Sequence, residues 1–420
     1  MIKQYFKQAL GTLRETPLVS VISILGTALS IAMVMVVVLM FQIKLTGYSP
    51  ESNRGRMLYV NGTTAESISG AGGTNNGQMS PRVLKECYYT LKTPEAVTGF
   101  GQETRPVSLP GKRLFEEYSI KYADPGFWKV FDFSFVAGHP FTDADFQSAL
   151  PVAVITDRLA ANLFGAEEPV GKYIVVDYVD YKVVGVVKEV TTAAEDAYAQ
   201  IWMPYTVNAD IQREVCEGVA GNLKAVMLAH SASELDAIRA ELNNHIERFN
   251  AGQKEYELKL TGTGALDRLD IAIGNNGFQR VVTMKDYLLD TGALLLFLLL
   301  VPALNLISVV QSSVQKRADE LGLRRAFGAS RLKLITQVLS ENMIVTLLGG
   351  LLGVLLSILF LQLFKAFLIS PDVSINASML LKPVFFISAL FFAVLLNLFS
   401  ATIPAWRVSR QEIVTALNSK

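Results

Sequence analysis

Charge is scarce in this sequence: Asp, Glu, Lys and Arg make up only 18% of its 420 residues, against about 25% in a soluble domain. The shortfall sits in four long uncharged segments, whereas residues 46–285 have an ordinary soluble composition. The 38 basic and 38 acidic residues balance to zero net charge, so no field of one sign draws in nucleic acid. A Lys/Arg-rich patch with interleaved aromatics is also missing. Cysteine is nearly absent, with only Cys87 and Cys216. Both fall in the segment placed below outside the cytoplasm, which leaves two readings open, a disulfide or two free thiols. Cys87 shares a helical face with Leu84, Tyr88 and Leu91, where a free cysteine packs as a small hydrophobe. The three histidines, His139, His230 and His245, share no metal-ligand spacing and read as surface residues. The carboxylates show no pairing beyond chance, so no catalytic set emerges. Gly165, Gly171 and Lys172 come near a phosphate-binding loop, but five residues separate the glycines and Tyr173 follows the lysine. That loop needs four residues and then Ser or Thr.

What is present is long apolar runs. Residues 18–41, 292–314, 342–364 and 383–405 carry no charge, and each reaches the roughly 20 residues that a spanning helix needs. The first is too long for a signal-peptide core, and no small-x-small cleavage site closes it. Lys3, Lys7 and Arg14 precede the first run, and six basic residues lie between Lys316 and Lys333. Arg407, Arg410 and Lys420 follow the fourth run, while the loop between the third and fourth holds only Lys365 and Lys382. The basic flanks place both termini and the 316–337 connection in the cytoplasm, and 46–285 on the other side. Residues 1–17 predict an interfacial amphipathic helix with Tyr5, Phe6, Ala9, Leu10 and Leu13 on one side, ended by Pro17. Gly349 and Gly353 form a small-xxx-small pair suited to close helix packing. No ionisable residue sits in mid-membrane, which argues against a proton-coupled carrier or an ion pump.

The large insert alternates strands and helices. Met57–Val60, 225–228 and Tyr256–Leu260 predict strands. Residues 69–77 (SGAGGTNNG) predict a mobile loop. Ser80 before Pro81 predicts a helix start. Ser231 and Glu234 predict a capping box for a helix bearing Leu235, Ile238, Leu242 and Ile246 on one face. A middle block, 98–205, has short β-branched runs at 152–155, Tyr173–Val176 and 181–187.

These residues resemble a known family. The run 316–331, KRADELGLRRAFGASR, is similar to the loop signature of MacB-like and FtsX-like ABC permeases. Pro404, Ala405, Trp406 and Arg407 resemble that group's tail. Leu163–Gly165 with 169–172, followed by 183–187 (VVGVV), resembles the MacB-like periplasmic core domain, and FWKVFDFSFVAG at 127–138 fits its preceding segment. The resemblance implies an α-helical membrane protein of four transmembrane helices. Between helices 1 and 2 it inserts a large α+β extracytoplasmic domain of two lobes. The implied layout is 1–17 interfacial helix, 18–45 helix 1 and stalk, 46–285 periplasmic domain, 286–315 stalk and helix 2, and 316–337 coupling loop. Then follow 338–364 helix 3, 365–382 periplasmic loop, 383–405 helix 4 and 406–420 cytoplasmic tail. An outer lobe, 98–205, would sit within a strand–helix lobe of 55–97 and 206–262.

The implied function is that of a non-catalytic permease in the bacterial inner membrane, working by mechanotransmission. It binds no cofactor itself; ATP binds a partner ATPase dimer in the cytoplasm. A second permease copy or paralogue completes the pair, and a periplasmic adaptor and outer-membrane duct are further expected partners besides lipid. In macrolide exporters the ATPase is fused ahead of the first span; here 17 residues precede Leu18, so a separate ATPase is expected. ATP-driven closure would move the periplasmic domain and drive export from the periplasm or outer leaflet. The alternatives are lipoprotein release and regulation of a cell-wall hydrolase. The expected ATPase-docking residues are Glu320, Leu321, Gly322, Leu323, Arg324, Arg325, Phe327, Gly328, Ala329 and Ser330. Physically, the loop is short, basic and amphipathic. Gly328 can end one helix and Ser330 can cap the next.

Overall fold

A computed structural model describes residues 17–70, 72–111, 115–262, 264–277, 281–316, 323, 327, 330–368, 387–392, 394–395 and 398. The chain divides into two compact units. One contains residues 1–42, 285–371 and 375–420; the other contains 43–284 with 372–374.

The first unit is helical. Helix α1 (Pro17–Leu45) holds the stretch Ser20–Leu45, long and apolar enough to cross a membrane, with Lys44 its one charged residue. Helices Met284–Lys316 and Arg331–Leu368 follow, and residues 387–392 are also helical. On α1, Thr27, Ala28, Ile31, Met35 and Leu39 are buried, while Val21, Ile22, Leu25, Leu29 and Met33 are exposed on another face. Glycines set the packing. A Cβ added at Gly349 would stand 2.7 Å from the Cβ of Thr27, and one at Gly353 would stand 2.8 Å from the Ala28 carbonyl oxygen. Only glycine permits that approach, so the predicted pair does join two helices. The hydroxyls of Thr27, Ser30 and Ser357 donate to the carbonyls of Ser23, Gly26 and Val354 at 2.7–2.8 Å. Such bonds within one helix satisfy these three hydroxyls without a partner from solvent. Phe41 stacks on Tyr287 with ring centroids 5.3 Å apart. Residues 1–16 of the expected interfacial helix 1–17, residues 369–382 of the expected loop 365–382, and the expected tail 406–420 lie outside the described residues.

The second unit is built on β-sheet. Its main sheet runs β1 (Met57–Val60), β12 (Lys224–Leu228), β4 (Ala96–Ser108), β5 (Glu116–Ala123), β10 (Ile201–Pro204), β7 (Val152–Thr156), β9 (Val179–Val187), β6 (Phe135–Gly138). β8 (Tyr173–Val176) pairs with β4 and β9. The β5–β10 and β7–β9 pairs are parallel. β1, β7 and β10 are buried at every position, as strands covered on both faces must be. Leu58, Val60, Ile120 and Ile155 enter one core, while Met57, Tyr59, Val154 and Trp202 enter the other. The second core is dense in rings. Phe127, Phe131, Phe133, Trp128 and Trp202 stack edge-on or tilted at centroid distances of 4.6–6.3 Å.

The expected lobe boundary near residue 98 falls inside β4, a 13-residue strand. β4 pairs with β12 on one side and β5 on the other, so one sheet carries strands from both expected parts. Alternation identifies strands but does not say which of them pair. A smaller sheet runs β11 (Ala220–Gly221), β3 (Thr74–Met79), β2 (Thr63–Ser67), β13 (Tyr256–Leu260). The 69–77 loop is therefore corrected: from Thr74 it is strand, because Thr63–Glu66 pair with Thr74–Gly77 across a hairpin. Ile238, Leu242 and Ile246 of helix Leu235–Ala251 are buried as predicted. Its capping box does not form. Ser231 bonds Ser233 instead, and the Glu234 carboxylate accepts from the His230 amide at 3.2 Å. A 3₁₀ turn, Ala232–Glu234, moves the helix start to Leu235 and takes Ser231 out of capping range. Ser80 does cap, its hydroxyl accepting from the Val83 amide at 3.1 Å.

Candidate functional site

Of the ten expected docking residues, Leu323, Phe327 and Ser330 are described, and all three are exposed. The Phe327 amide donates to the Leu323 carbonyl at 3.0 Å, one helical turn, with Phe327 84% exposed. Glu320, Leu321, Gly322, Arg324, Arg325, Gly328 and Ala329 lie outside the described residues. Leu323 and Phe327 thus expose two apolar side chains on one turn.

The β-rich unit holds a second constellation, built from the short segment that follows α1. A helix end leaves its last carbonyls without intrahelical donors. Here one side chain serves several of them. Arg54 Nη1 reaches the carbonyls of Ile43, Lys44 and Thr46 at 3.3–3.5 Å. Its Nε donates to the Glu51 carboxylate at 2.5 Å and its Nη2 to the Ala193 carbonyl at 2.6 Å. The Arg54 Cζ sits over the Tyr48 ring, 4.4 Å from its centre, and the Tyr48 hydroxyl donates to the same Ala193 carbonyl at 2.5 Å. Glu51 also accepts from the Ala197 amide at 3.0 Å. Lysine could not make this set of contacts, because only a guanidinium spreads five donors in one plane.

Arg54 and Glu51 are 8% and 2% exposed. Burial drives the Glu51 carboxyl upward, and Arg54 opposes that shift. Burial pulls on Arg54 most strongly, but the charges of Glu51, Tyr48 and Tyr59 and the Glu51 hydrogen bond together outweigh it and hold the guanidinium protonated. Burial pushes the Tyr48 phenol up to about 12.

Loop 190–199 receives these groups on one side and Lys121 on the other. Lys121, on β5, is fully buried. Its Nζ donates to the carbonyls of Glu195 and Asp196 at 3.0 and 2.5 Å and lies 4.8 Å from the centre of the Phe100 ring. Burial lowers its pKa to about 7. Trp202 Nε1 donates to the Ala197 carbonyl at 3.2 Å. A further buried acid, Asp124, accepts from Tyr89, Thr98 and the Gly99 and Phe127 amides; burial raises it to about 6.

Sequence reasoning missed this cluster. The available signals were Glu51 and Arg54 three residues apart, shortly after the apolar helix α1, and Lys121 standing between Ile120 and Tyr122 in a strand. Cys87 and Cys216 are free thiols. Cys87 is buried, which pushes its thiol up to about 12, and Cys216 accepts from Asn75 Nδ2 at 3.6 Å. Among the described residues no three His, Cys, Asp or Glu side chains converge as metal ligands.

Comparison with known proteins bears on both units. The model of the MacB-like periplasmic core domain matches residues 20–245, more than half of the chain. That of the FtsX-like permease C-terminal region matches residues 292–413. Among curated relatives, the pyoverdine export ATP-binding/permease protein PvdT of Pseudomonas savastanoi pv. phaseolicola is 29% identical over 238 residues. The match takes in 56% of this chain and 34% of that protein. The chain thus spans about a third of the length of that relative. The ABC transporter permease YknZ of Bacillus subtilis is 22% identical over 305 residues, 69% of this chain and 72% of that protein. The crystal structure of the periplasmic region of MacB from Actinobacillus actinomycetemcomitans aligns over 53% of this chain and 94% of its own. Its sequence identity is 15% and its TM-score 0.35.

Proposed function

The chain belongs to the family of ABC transporter permeases with a MacB-like periplasmic core domain and an FtsX-like permease region, and from that premise we propose that it is a mechanically coupled export permease. The observation that carries this reading is the two family matches, in sequence order, on one chain. Members of this family are membrane permeases with a periplasmic domain, consistent with the inner membrane. In our reading four helices, at 18–41, 292–314, 342–364 and 383–405, span it with both termini cytoplasmic. The Lys/Arg asymmetry of the flanks supports that orientation.

In our reading an ABC ATPase dimer supplies the energy, as membership of the permease family implies. It docks on 320–330, and the exposed Leu323 and Phe327 support that role. Two permease copies then move their periplasmic domains against a substrate outside the inner membrane. A periplasmic adaptor and an outer-membrane duct complete the route. The pyoverdine exporters among its relatives support export over lipoprotein release.

The test is co-expression with each ABC ATPase of the same genome. One ATPase is expected to co-purify and to hydrolyse ATP in the complex, while the chain alone hydrolyses none. Glu320→Lys should abolish co-purification and leave membrane insertion intact. A surface Glu320–Arg324 pair with no partner would be worth under about 1 kcal/mol, and its reversal would be silent. Undiminished complex and export in the variant would remove this loop from the coupling role.

A further inference from the structure

Loops usually run over the surface, where water serves their backbone. Loop 190–199 breaks that rule. Ala194, Ala197 and Ala199 are fully buried, and the segment belongs to no strand of either sheet. Buried backbone groups need partners, and here side chains provide them from two directions. Arg54, Tyr48 and Glu51, from the segment just after α1, hold Ala193 and Ala197. Lys121 and Trp202 hold Glu195, Asp196 and Ala197 from the other direction. Lys121 and Trp202 are themselves register partners on the parallel strands β5 and β10. An unbroken hydrogen-bonded chain therefore runs from the last carbonyls of α1, through Arg54 and the loop, into the middle of the main sheet.

Apolar packing would join these elements without desolvating charges. A buried ion network is often no more stable than its hydrophobic replacement. What it supplies is directional restraint, since a guanidinium held by Glu51, Ala193 and the helix end cannot slide past any of them. We propose that Arg54, with Tyr48, Glu51 and Lys121, is a coupling clamp that makes the outer end of α1 and loop 190–199 move as one body. Displacement of the helix end then carries the loop, and with it strands β5 and β10. The inference rests on the reading of the chain as a mechanically coupled permease.

The test is hydrogen exchange on the full chain in lipid nanodiscs, unaltered and as Arg54→Lys and Tyr48→Phe. Arg54→Lys keeps the charge and loses the fork. Exchange in peptides covering 46–54 and 191–199 should accelerate together, by about tenfold or more, as expected for losing hydrogen bonds to a charged donor. Peptides in β7 and β9 should keep their rates. Tyr48→Phe should give the same joint pattern at smaller amplitude, and it stands in should Arg54→Lys fail to fold. Acceleration of only one segment, of neither, or of the whole unit would overturn the clamp, because Arg54 would then be a local or purely structural contact. The readout needs no ATPase. A chain that recruits none refutes the functional reading, whereas intact recruitment with unlinked exchange refutes the clamp alone.

Discussion

The two units join their parts by opposite chemistry. In the helical unit, α1 meets the Arg331–Leu368 helix through Gly349 and Gly353, with Thr27, Ala28 and Ile31 opposite. Among the described residues no ion pair takes part in that contact. In the β-rich unit, a segment is tied in by Arg54, Glu51 and Lys121, all buried. The difference follows from the solvent. Lipid offers no hydrophobic drive for helix association, so close van der Waals approach between small residues does the work. A charge placed there is costly. In a water-exposed unit the apolar drive already closes the core, and a buried network adds fixed geometry rather than net stability.

The comparison can be broken from either end. Arg54→Met should have the largest effect. It leaves Glu51 buried without its counter-ion, a loss of about 3–5 kcal/mol. Denaturant titration of the solubilised chain, followed by Trp fluorescence, should show an earlier midpoint, and Glu51→Gln added to the variant should recover part of it. No recovery would mean that the pair is not what the mutation breaks.

Gly349→Leu or Gly353→Leu should come next. Each places carbon where Thr27 or Ala28 already stands, and overpacking of this kind costs about 1–3 kcal/mol. Cysteine cross-linking between α1 and the Arg331–Leu368 helix should fall, while the transition of the β-rich unit stays in place. A shift of that transition instead would sink the separation into two regimes.

The third effect is a pH slope. Lys121 sits at about 7 when folded and 10.5 in its ordinary state. Between those values the unfolded chain holds more protons, so stability rises with pH. The gain is complete above 10.5 and is lost as pH falls through about 7. Burial is the main cause; Asp196, Glu195 and Glu51 oppose it and Lys224 adds to it. The slope contributed by Lys121 is at most about 1.4 kcal/mol per pH unit. Lys121→Met should flatten it, as read from melting temperatures at pH 7, 8 and 9; an unchanged slope would exclude Lys121 as its source.

The smallest effect contrasts two serines. Ser80→Ala should cost about 1 kcal/mol, since it removes a helix cap. Ser231→Ala should be nearly silent, because Ser231 makes no cap bond. Equal losses in paired melts would mean that the Ser231 hydroxyl holds the helix after all.

Much of this was legible one segment at a time. Met57–Val60, Tyr173–Val176 and Tyr256–Leu260 are strands as their residues predict, because β-branched and alternating runs carry a local signal. The Ser80 cap and the buried face of Leu235–Ala251 are equally local. Thr74–Met79 was not legible, since a Gly- and Asn-rich run becomes strand only when Thr63–Glu66 lies beside it. Ser231 misled because the same four-residue pattern fits a cap and a 3₁₀ turn. The family signatures at 163–172 and 316–331 were readable, whereas the geometry of seven of the ten docking residues lies outside the described residues.

By itself, the sequence determined what periodicity, charge placement and glycine spacing encode: the apolar runs, the small-residue pair at 349 and 353, and the family. Tertiary structure alone decided that Arg54 meets Ala193 and that Lys121 meets Glu195 and Asp196 in the same loop. Arg54 and Ala193 stand 139 positions apart, and Lys121 faces its carbonyls only because β5 lies parallel to β10. A buried charge has no sequence signature, since its cost and its partners exist only once the core has closed around it.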